Sequence, residues 1–336
     1  MEEKMEHRIL ELYSGIGGMH CAWNESTIKG KVVAAIDINT VANDVYKYNF
    51  PETLLFTKNI QSLTPIEIEK YKIDTVLMSP PCQPFTRNGK NLDENDPRTN
   101  SFLYFIDILD KLNTLQYILM ENVKGFECST VRNLFVEKLT YCGFVYQEFM
   151  LSPVSVGVPN SRLRYYCIAK RNNTWNFKRK DELITCLPKT FAKPHCLKDI
   201  IENNVPDDYL VPDKMLRKAN IFDICYADSN RSCCFTKAYT HYVEGTGSVF
   251  TETSYDIVQK YLKLANYFEV GSDEFLQTLK KLKLRFFTSK EILQLMSFPS
   301  EYSFPKTVTR KQCYRLLGNS VNVKVISELL QILFDE

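Results

Sequence analysis

The sequence predicts an α/β fold in which a mixed, mostly parallel sheet carries helices on both faces and a smaller second domain is attached. Three observations support this prediction in a chain of 336 residues. Compact apolar runs alternate with helical patterns through the first half, as in βαβ units. Over residues 178–285 the periodicity weakens, while prolines, cysteines and polar turns become frequent. Helical patterning then returns, so we expect the end of the chain to rejoin the first domain.

The individual elements follow from the same patterns. The predicted strands are RILELYS, VVAAID, DTVLMS, YILMEN and RLRYYCIAK, and helices are predicted over residues 40–48 and 100–112. Near the end, FTSKEILQLMSFP and YRLLGNSVNVKVISELLQILF show helical spacing, the latter through Val321, Val325, Leu329 and Leu330. We therefore divide the chain into a first domain (1–180), a smaller domain (181–285) and a returning segment (286–336).

Composition narrows the class of protein. A hydrophobic content of 44% with 24% charged residues is typical of a folded domain. The net charge of only +2 means that a nucleic acid would be held by local basic patches. Eleven cysteines, an odd number, in a long chain without an apolar signal core favour reduced thiols, hence the cytoplasm or the nucleus. A helix needs about 18 consecutive apolar residues to span a bilayer, and no apolar stretch of this sequence approaches that length. No membrane partner is therefore expected.

The stretch ELYSGIGGMH follows a predicted strand and should open a helix, where glycines let backbone amides approach a ligand. The third glycine of a dinucleotide fingerprint would fall on His20, so a pyrophosphate is not expected. Asp37 ends the next strand, at the place where a carboxylate accepts hydrogen bonds from ribose hydroxyls. An adenosine-type cofactor such as S-adenosylmethionine fits both features, and the alternative is a tight turn with a capping aspartate.

The stretch LMSPPCQPFTRNGK places Cys82 among three prolines that stiffen the loop after a strand. Glu121 and Asn122 come just after the strand in YILMENVKG, and Arg162 and Arg164 lie two apart on another strand, hence on one face. If these strand ends converge, one pocket holds a thiol, a carboxyl group and two guanidinium groups. The alternatives are a structural cysteine, a solvated loop and a salt-bridged edge strand.

The order of SGIGG, the acidic residue after the second strand, SPPCQPF, ENV, SRLRYY and GNSV resembles the motif series of the cytosine-5 methyltransferases. The stretch CCFTKAYTHYVEGTGSV, with MENVKGF and RTNSF, is similar to the eukaryotic DNA-methyltransferase homologue 2 family. That family methylates a cytosine in the anticodon loop of aspartate transfer RNA. The resemblance covers nearly the whole chain and implies a Rossmann-like S-adenosylmethionine-dependent methyltransferase domain with a target-recognition domain.

The resemblance also implies roles for the four residues of the predicted pocket. Cys82 would add to carbon 6 of cytosine, because carbon 5 is a poor nucleophile until a thiolate makes it enamine-like. Glu121 would stabilise the electron density that builds toward N3, while Arg162 and Arg164 would hold the base and lower the thiol pKa. The methyl donor would be S-adenosyl-L-methionine and the product S-adenosyl-L-homocysteine.

The cofactor pocket carries over from the family to eleven positions: Ile16, Gly17, Gly18, Asp37, Ile38, Asn59, Ile60, Ser79, Asn319, Ser320 and Val321. GNSV resembles a returning strand that closes this pocket. Asn59 departs from the aspartate that many relatives use for the adenine amino group, although an amide oxygen also accepts such a bond.

On the substrate side, the expected RNA-binding residues lie beside the proline loop and in the CCFTK stretch: Arg87, Lys90, Cys234, Phe235, Thr236 and Lys237. Phe235 is predicted either to stack on a base or to join the core. No His-x-Glu pair accompanies the cysteines and no zinc spacing is present, so no metal is expected. The leading interpretation is a monomeric methyltransferase of cytosine 38 in transfer RNA for aspartate. DNA cytosine methylation and an inactive nucleic-acid binding protein are the alternatives.

Overall fold

The computed structural model describes residues 6–81, 99–171, 175–177, 179–242 and 244–335. Its main sheet has seven strands in the order β3-β2-β1-β4-β5-β7-β6. Their bounds are β1 His7–Leu12, β2 Gly30–Asp37, β3 Leu54–Thr57, β4 Thr75–Met78, β5 Tyr117–Val123, β6 Phe144–Leu151 and β7 Arg164–Arg171. The first five run parallel, and β7 is antiparallel to both β5 and β6. The predicted mixed, mostly parallel sheet is confirmed.

Eleven helices are described, together with short 3-10 turns. Their bounds are α1 Gly18–Glu25, α2 Thr40–Asn49, α3 Pro65–Lys70, α4 Asn100–Ile108, α5 Thr130–Tyr141, α6 Asp213–Leu216, α7 Tyr255–Ala265, α8 Asp273–Lys280, α9 Ser289–Leu295, α10 Arg310–Asn319 and α11 Val323–Phe334. The predicted helix over 100–112 ends as α4 at Ile108 and continues as a 3-10 turn to Lys111. No helix in the described part of the chain is both long and apolar enough to cross a lipid bilayer.

Alternation along the strands sends side chains into two cores, one on each face of the sheet. In β1, Ile9 packs on the face of α1 and α11, whereas Leu10 and Leu12 pack on the face of α4 and α5. Helices therefore bury both faces, as is usual for parallel sheets. Glu11 lies between the two apolar neighbours Leu10 and Leu12, so alternation places its carboxyl group on the α1 face.

A second sheet has three short strands in the order β10-β9-β8: β8 Ile224–Cys225, β9 Val249–Phe250 and β10 Arg285–Phe286. Its buried side chains, such as Phe250 and Phe286, belong to the same apolar cluster as α9, α10, α11 and the α1 face of the main sheet. The core thus continues from one sheet to the other. The division at residues 181–285 stays a prediction.

The C-terminal helices return to the main sheet. The ring of Phe334 on α11 lies 5.4 Å from the ring of Trp23 on α1, and Tyr302 Oη donates a hydrogen bond to the carbonyl of Ile16. The expected strand at GNSV is wrong. Thr309 and Gln312 form a capping box that starts α10, and this helix runs through Gly318 to Asn319. Ser320 is extended but pairs with no strand, because α11 begins three residues later.

Candidate active site

The predicted site residues gather at one edge of the main sheet. The parallel strands β1, β2, β4 and β5 all end there, and antiparallel β7 begins there. Ser79, directly after β4, donates a hydrogen bond from Oγ to the Tyr13 carbonyl at the end of β1, at 3.4 Å. Cys82, Arg87 and Lys90 lie outside the described residues.

Glu121 and Arg164 form a buried ion pair at this edge. Pairing with β7 carries β5 through Glu121 and Asn122 to Val123, so both residues lie in the strand, as in the predicted strand YILMEN, and do not follow it. Arg164 Nε lies 3.4 Å from Glu121 Oε1. Burial raises the pKa of the Glu121 carboxyl group, and the charges of Arg164 and Arg162 oppose this rise without cancelling it. Glu121 therefore holds a proton more readily than an ordinary glutamate.

Arg162 precedes β7, which starts at Arg164, so only one arginine of the pair is a strand residue. The Arg162 side chain is buried, and its guanidinium donates hydrogen bonds to three backbone carbonyls. The acceptors are Phe235 O at 3.3 Å, Gly318 O at 3.3 Å and Ser320 O. Both terminal nitrogens of Arg162 are thus engaged by the protein, its Nε has no hydrogen-bond partner among the described residues, and Arg164 pairs with Glu121.

A second thiol, that of Cys234, lies between the two arginines. Its Sγ is 3.4 Å from Arg162 Nη1 and 3.7 Å from Arg164 Nη2. Burial acts to raise the pKa of Cys234, but the two guanidinium charges outweigh it and lower the pKa. The structure therefore brings Glu121, Arg162 and Arg164 together with Cys234 beside them, whereas the thiol predicted for this pocket, that of Cys82, lies outside the described residues.

The glycine loop lies at the same edge, between β1 and α1. Gly15 and Gly17 have φ of +52° and +84°, the left-handed region that favours glycine. A Cβ on Gly17 would lie 2.5 Å from the Phe50 ring, whereas a Cβ on Gly15 would meet nothing within 4 Å. The space beside Gly15 is therefore open to a ligand.

Asp37, at the end of β2, supports this loop. Its Oδ2 accepts a hydrogen bond from Gly15 N and its Oδ1 from Asn39 N, both at 2.8 Å. Burial raises its pKa. The neighbouring Ile38 side chain is 69% exposed. A carboxylate beside an exposed apolar side chain fits the ribose and the base of an adenosine-type cofactor.

The remaining cofactor positions divide into two groups. Ser320 and Val321 contact the start of α1, since a Cβ on Gly18 would lie 2.7 Å from Val321 Cγ2 and 3.1 Å from Ser320 Oγ. Asn59 caps a 3-10 turn that starts at Ile60, and its Oδ1 already accepts a hydrogen bond from Gln61 N at 3.0 Å. Ile60 is buried and Asn319 is exposed. The adenine contact of Asn59 stays a prediction.

Glu11 lies beneath the glycine loop and was not predicted from the sequence. Its Oε2 accepts a hydrogen bond from Tyr46 Oη at 2.9 Å, and Oε1 has no hydrogen-bond partner among the described residues. Burial raises its pKa to about 8, although Tyr46 and the nearby N–H groups of His20 and Met19 favour the charged form. The only sequence signal was a charged residue inside the apolar run RILELYS.

A basic cavity of about 610 Å³ adjoins Lys237 and was also missed. Cationic and aromatic side chains line it: Lys237, His241, Arg310, Lys311, Arg315, Tyr209, Tyr239 and Tyr314. The signal was present in TRKQCYR, where helical spacing places Lys311 and Arg315 on one face. With a net charge this low, a nucleic acid would have to be held by a local basic patch, and this cavity is such a patch.

Phe235 lies in the core rather than on a base-stacking surface. It is 3% exposed, and its ring lies 5.0 Å from Tyr239 and 5.2 Å from Phe287. Within the described ranges, no three His, Cys, Asp or Glu side chains are grouped so that they hold a metal ion, and no cysteine forms a disulfide.

Comparisons with known proteins agree with this geometry. A family model described as C-5 cytosine-specific DNA methylase matches residues 7–334. The tRNA (cytosine(38)-C(5))-methyltransferase of Spodoptera frugiperda is 67% identical, with 98% of this chain and 100% of that protein covered. The human protein of the same name is 43% identical, with 98% and 99% covered.

Two further similarities bear on substrate and fold. A Dictyostelium discoideum protein named DNA (cytosine-5)-methyltransferase is 38% identical, with 97% of this chain and 94% of that protein covered. The crystal structure of a Spodoptera frugiperda DNMT2 mutant matches with a TM-score of 0.93 at 67% identity, covering 98% of this chain and 100% of that one.

Proposed function

Because this chain belongs to the C-5 cytosine-specific DNA methylase family, we propose that it methylates carbon 5 of cytosine 38 in transfer RNA for aspartate. The observation that carries the proposal is the buried pair of Glu121 and Arg164 at the sheet edge that also holds the glycine loop. The names of the relatives that cover the whole chain support transfer RNA as the substrate.

The methyl donor in this proposal is S-adenosyl-L-methionine, which supplies an electrophilic methyl group and leaves as S-adenosyl-L-homocysteine. Asp37 and Ile38 would hold its adenosine part, and Gly15 leaves room for the ligand beside the loop. Ser320 and Val321 would form the opposite wall, because they contact Gly18.

The chemistry starts at Cys82, whose thiolate forms a bond to carbon 6 of the cytosine while the ring electrons move toward carbon 5 and N3. Burial raises the pKa of Glu121, so its carboxyl group can share a proton with N3 and so stabilise that charge. Arg164, which is paired with the Glu121 carboxyl group, also holds the base. After methyl transfer the proton on carbon 5 leaves, the ring double bond re-forms, and the Cys82 thiolate is expelled.

A single-stranded anticodon loop suits this site, since its bases can turn into a pocket without the breaking of a duplex. The basic cavity beside Lys237 would bind the RNA backbone. The proposal includes a monomer that acts in the cytoplasm or the nucleus, where thiols stay reduced.

The test compares methyl transfer from labelled S-adenosylmethionine to three acceptors. We expect transfer to the aspartate transfer RNA, none to a transcript with cytosine 38 changed to uridine, and none to duplex DNA. Cys82→Ala should reduce transfer to background and leave binding of S-adenosylhomocysteine within about twofold, because the thiol acts on the base. Labelling of the uridine transcript would refute the assigned position.

DNA methylation is the second candidate, favoured by the name of the Dictyostelium relative. Faster labelling of duplex DNA than of transfer RNA would establish it instead. Binding of transfer RNA without any labelling would identify an inactive binding protein.

A further inference from the structure

Gly318, in the last turn of α10, touches the backbone of the CCFTK stretch. A Cβ at this position would lie 2.1 Å from Lys237 N, 2.2 Å from Thr236 C and 2.6 Å from Lys237 Cα. These are backbone atoms, so they cannot swing aside as the end of a side chain does. Glycine is less favourable than alanine inside a helix, and Gly318 has no left-handed φ that would require it. Close approach is therefore the reason for glycine at this position.

Arg162 fixes this contact from one side. Its buried guanidinium donates hydrogen bonds to the carbonyls of Phe235 and Gly318, both at 3.3 Å, and to that of Ser320. One side chain thus bonds the segment before Lys237 and the end of α10 at the same time. A planar guanidinium with five N–H donors can do this, whereas a lysine ammonium is a single point of charge.

The same short segment reaches the glycine loop on its other side. A Cβ on Gly18 would lie 2.7 Å from Val321 Cγ2, so Val321 packs directly on the start of α1. Residues 318–321 therefore contact the RNA-facing segment at one end and the cofactor loop at the other. Four residues in close contact at both ends leave little room for one end to move without the other.

We propose that Gly318 is a positioning residue that couples the cofactor loop to the RNA-facing segment Thr236–Lys237, so that the two ligands bind cooperatively. The inference rests on the proposed function, because it takes transfer RNA as the ligand on the Lys237 side. Coupling of this kind is reciprocal: each ligand strengthens the binding of the other by the same factor.

The experiment measures the Kd for aspartate transfer RNA with and without saturating S-adenosylhomocysteine. For the unmodified protein we expect the cofactor product to tighten RNA binding by about fivefold or more. Gly318→Ala should bring this ratio to within about twofold of one, because the added methyl group pushes Thr236 and Lys237 away from α10. Lys237→Ala is the matched control, because it removes a charge but keeps the backbone contact with Gly318. RNA binding should therefore weaken equally with and without S-adenosylhomocysteine, and the ratio of the two Kd values should not change.

Circular dichroism and Tm establish whether Gly318→Ala is folded. If Gly318→Ala is not folded, Arg162→Lys takes its place in the binding experiment. The ratio of Kd values does not need turnover, and we expect Arg162→Lys to lose the coupling in the same way. A ratio of one in the unmodified protein, or an unchanged ratio in both variants, overturns the inference while methylation of cytosine 38 continues. Absence of that methylation is a failure of the proposed function instead.

Discussion

At the scale of single residues, burial decides what the charged groups at the sheet edge can do. Glu121 and Glu11 are both glutamates on central strands of the main sheet, and burial raises the pKa of each. Glu121 has Arg164 beside it, whereas Glu11 contacts Tyr46 beneath the glycine loop. The sequence predicted the first from its motif. It did not predict the second, because the burial of a charge depends on the helix that covers it.

The raised pKa of Glu11 predicts a specific dependence of stability on pH. The folded protein keeps a proton on Glu11 up to about pH 8, while the unfolded chain loses it near the ordinary value of 4.5. Between these values the unfolded state binds fewer protons, so the free energy of unfolding falls by up to about 1.4 kcal/mol for each pH unit. Glu11→Gln, which carries no titrating proton, should lack this fall.

Urea unfolding at several pH values from 5 to 8 measures the difference. In the unmodified protein, the free energy of unfolding that protonated Glu11 contributes below pH 4.5 should be lost as the pH rises to 8. In Glu11→Gln this loss should not occur. Glu52→Gln, at an exposed position, serves as the control and should follow the unmodified protein. Parallel curves for Glu11→Gln and the unmodified protein would contradict the assignment of the proton to Glu11.

At the scale of elements, the sequence located the strands that carry the site. β1, β2, β4, β5 and β7 were all predicted, since apolar runs bounded by turns and motifs mark them clearly. The strands β3 and β6 were not predicted. β3 has only four residues, none of them buried, and β6 lies at the edge of the sheet, where it pairs with β7 and forms one bridge with Ile184. GNSV was misassigned because motif similarity gives no backbone conformation: α10, which starts at the capping box of Thr309, runs through Gly318 to Asn319, and Ser320 after it is extended.

One face of α10 gives the element-scale prediction. Lys311 and Arg315 are exposed and line the cavity beside Lys237, so they are placed to neutralise phosphates. Replacing both by glutamate should weaken binding of transfer RNA by about tenfold or more at low salt, because the repulsion then acts where attraction did. The slope of log affinity against log salt should fall by about one for each cation removed.

Filter binding across a salt series, with S-adenosylhomocysteine binding as a second measurement, tests this prediction. Lys324→Glu on α11 is the matched control, since that residue is exposed and does not line the cavity. Cofactor binding should not change in either variant. An unchanged salt slope after the double substitution would place the RNA elsewhere on the protein.

At the scale of the whole molecule, one apolar core joins the two sheets. Phe287 is fully buried, its ring lies 5.2 Å from Phe235 and 6.1 Å from Phe250, and its carbonyl accepts a hydrogen bond from Tyr314 on α10. The sequence indicated a separate domain here because periodicity is weak over these residues. Weak local patterning reflects short strands, and it carries no information about which core the residues join.

The continuous core predicts that both sheets unfold together. Phe287→Ala should lower the free energy of unfolding by about 3–5 kcal/mol, the usual cost of removing a buried phenylalanine ring. Since Phe287 belongs to the apolar cluster that also contains the α1 face of the main sheet, calorimetry should show one transition at a lower Tm rather than a new early one. Hydrogen exchange should accelerate in β1 as well as in β9.

Tyr267→Ala, at a side chain that is 85% exposed, is the control and should leave Tm unchanged. A separate early transition confined to residues 181–285 would instead establish two independently folding domains, and the coupling through Gly318 would then have to operate across their boundary.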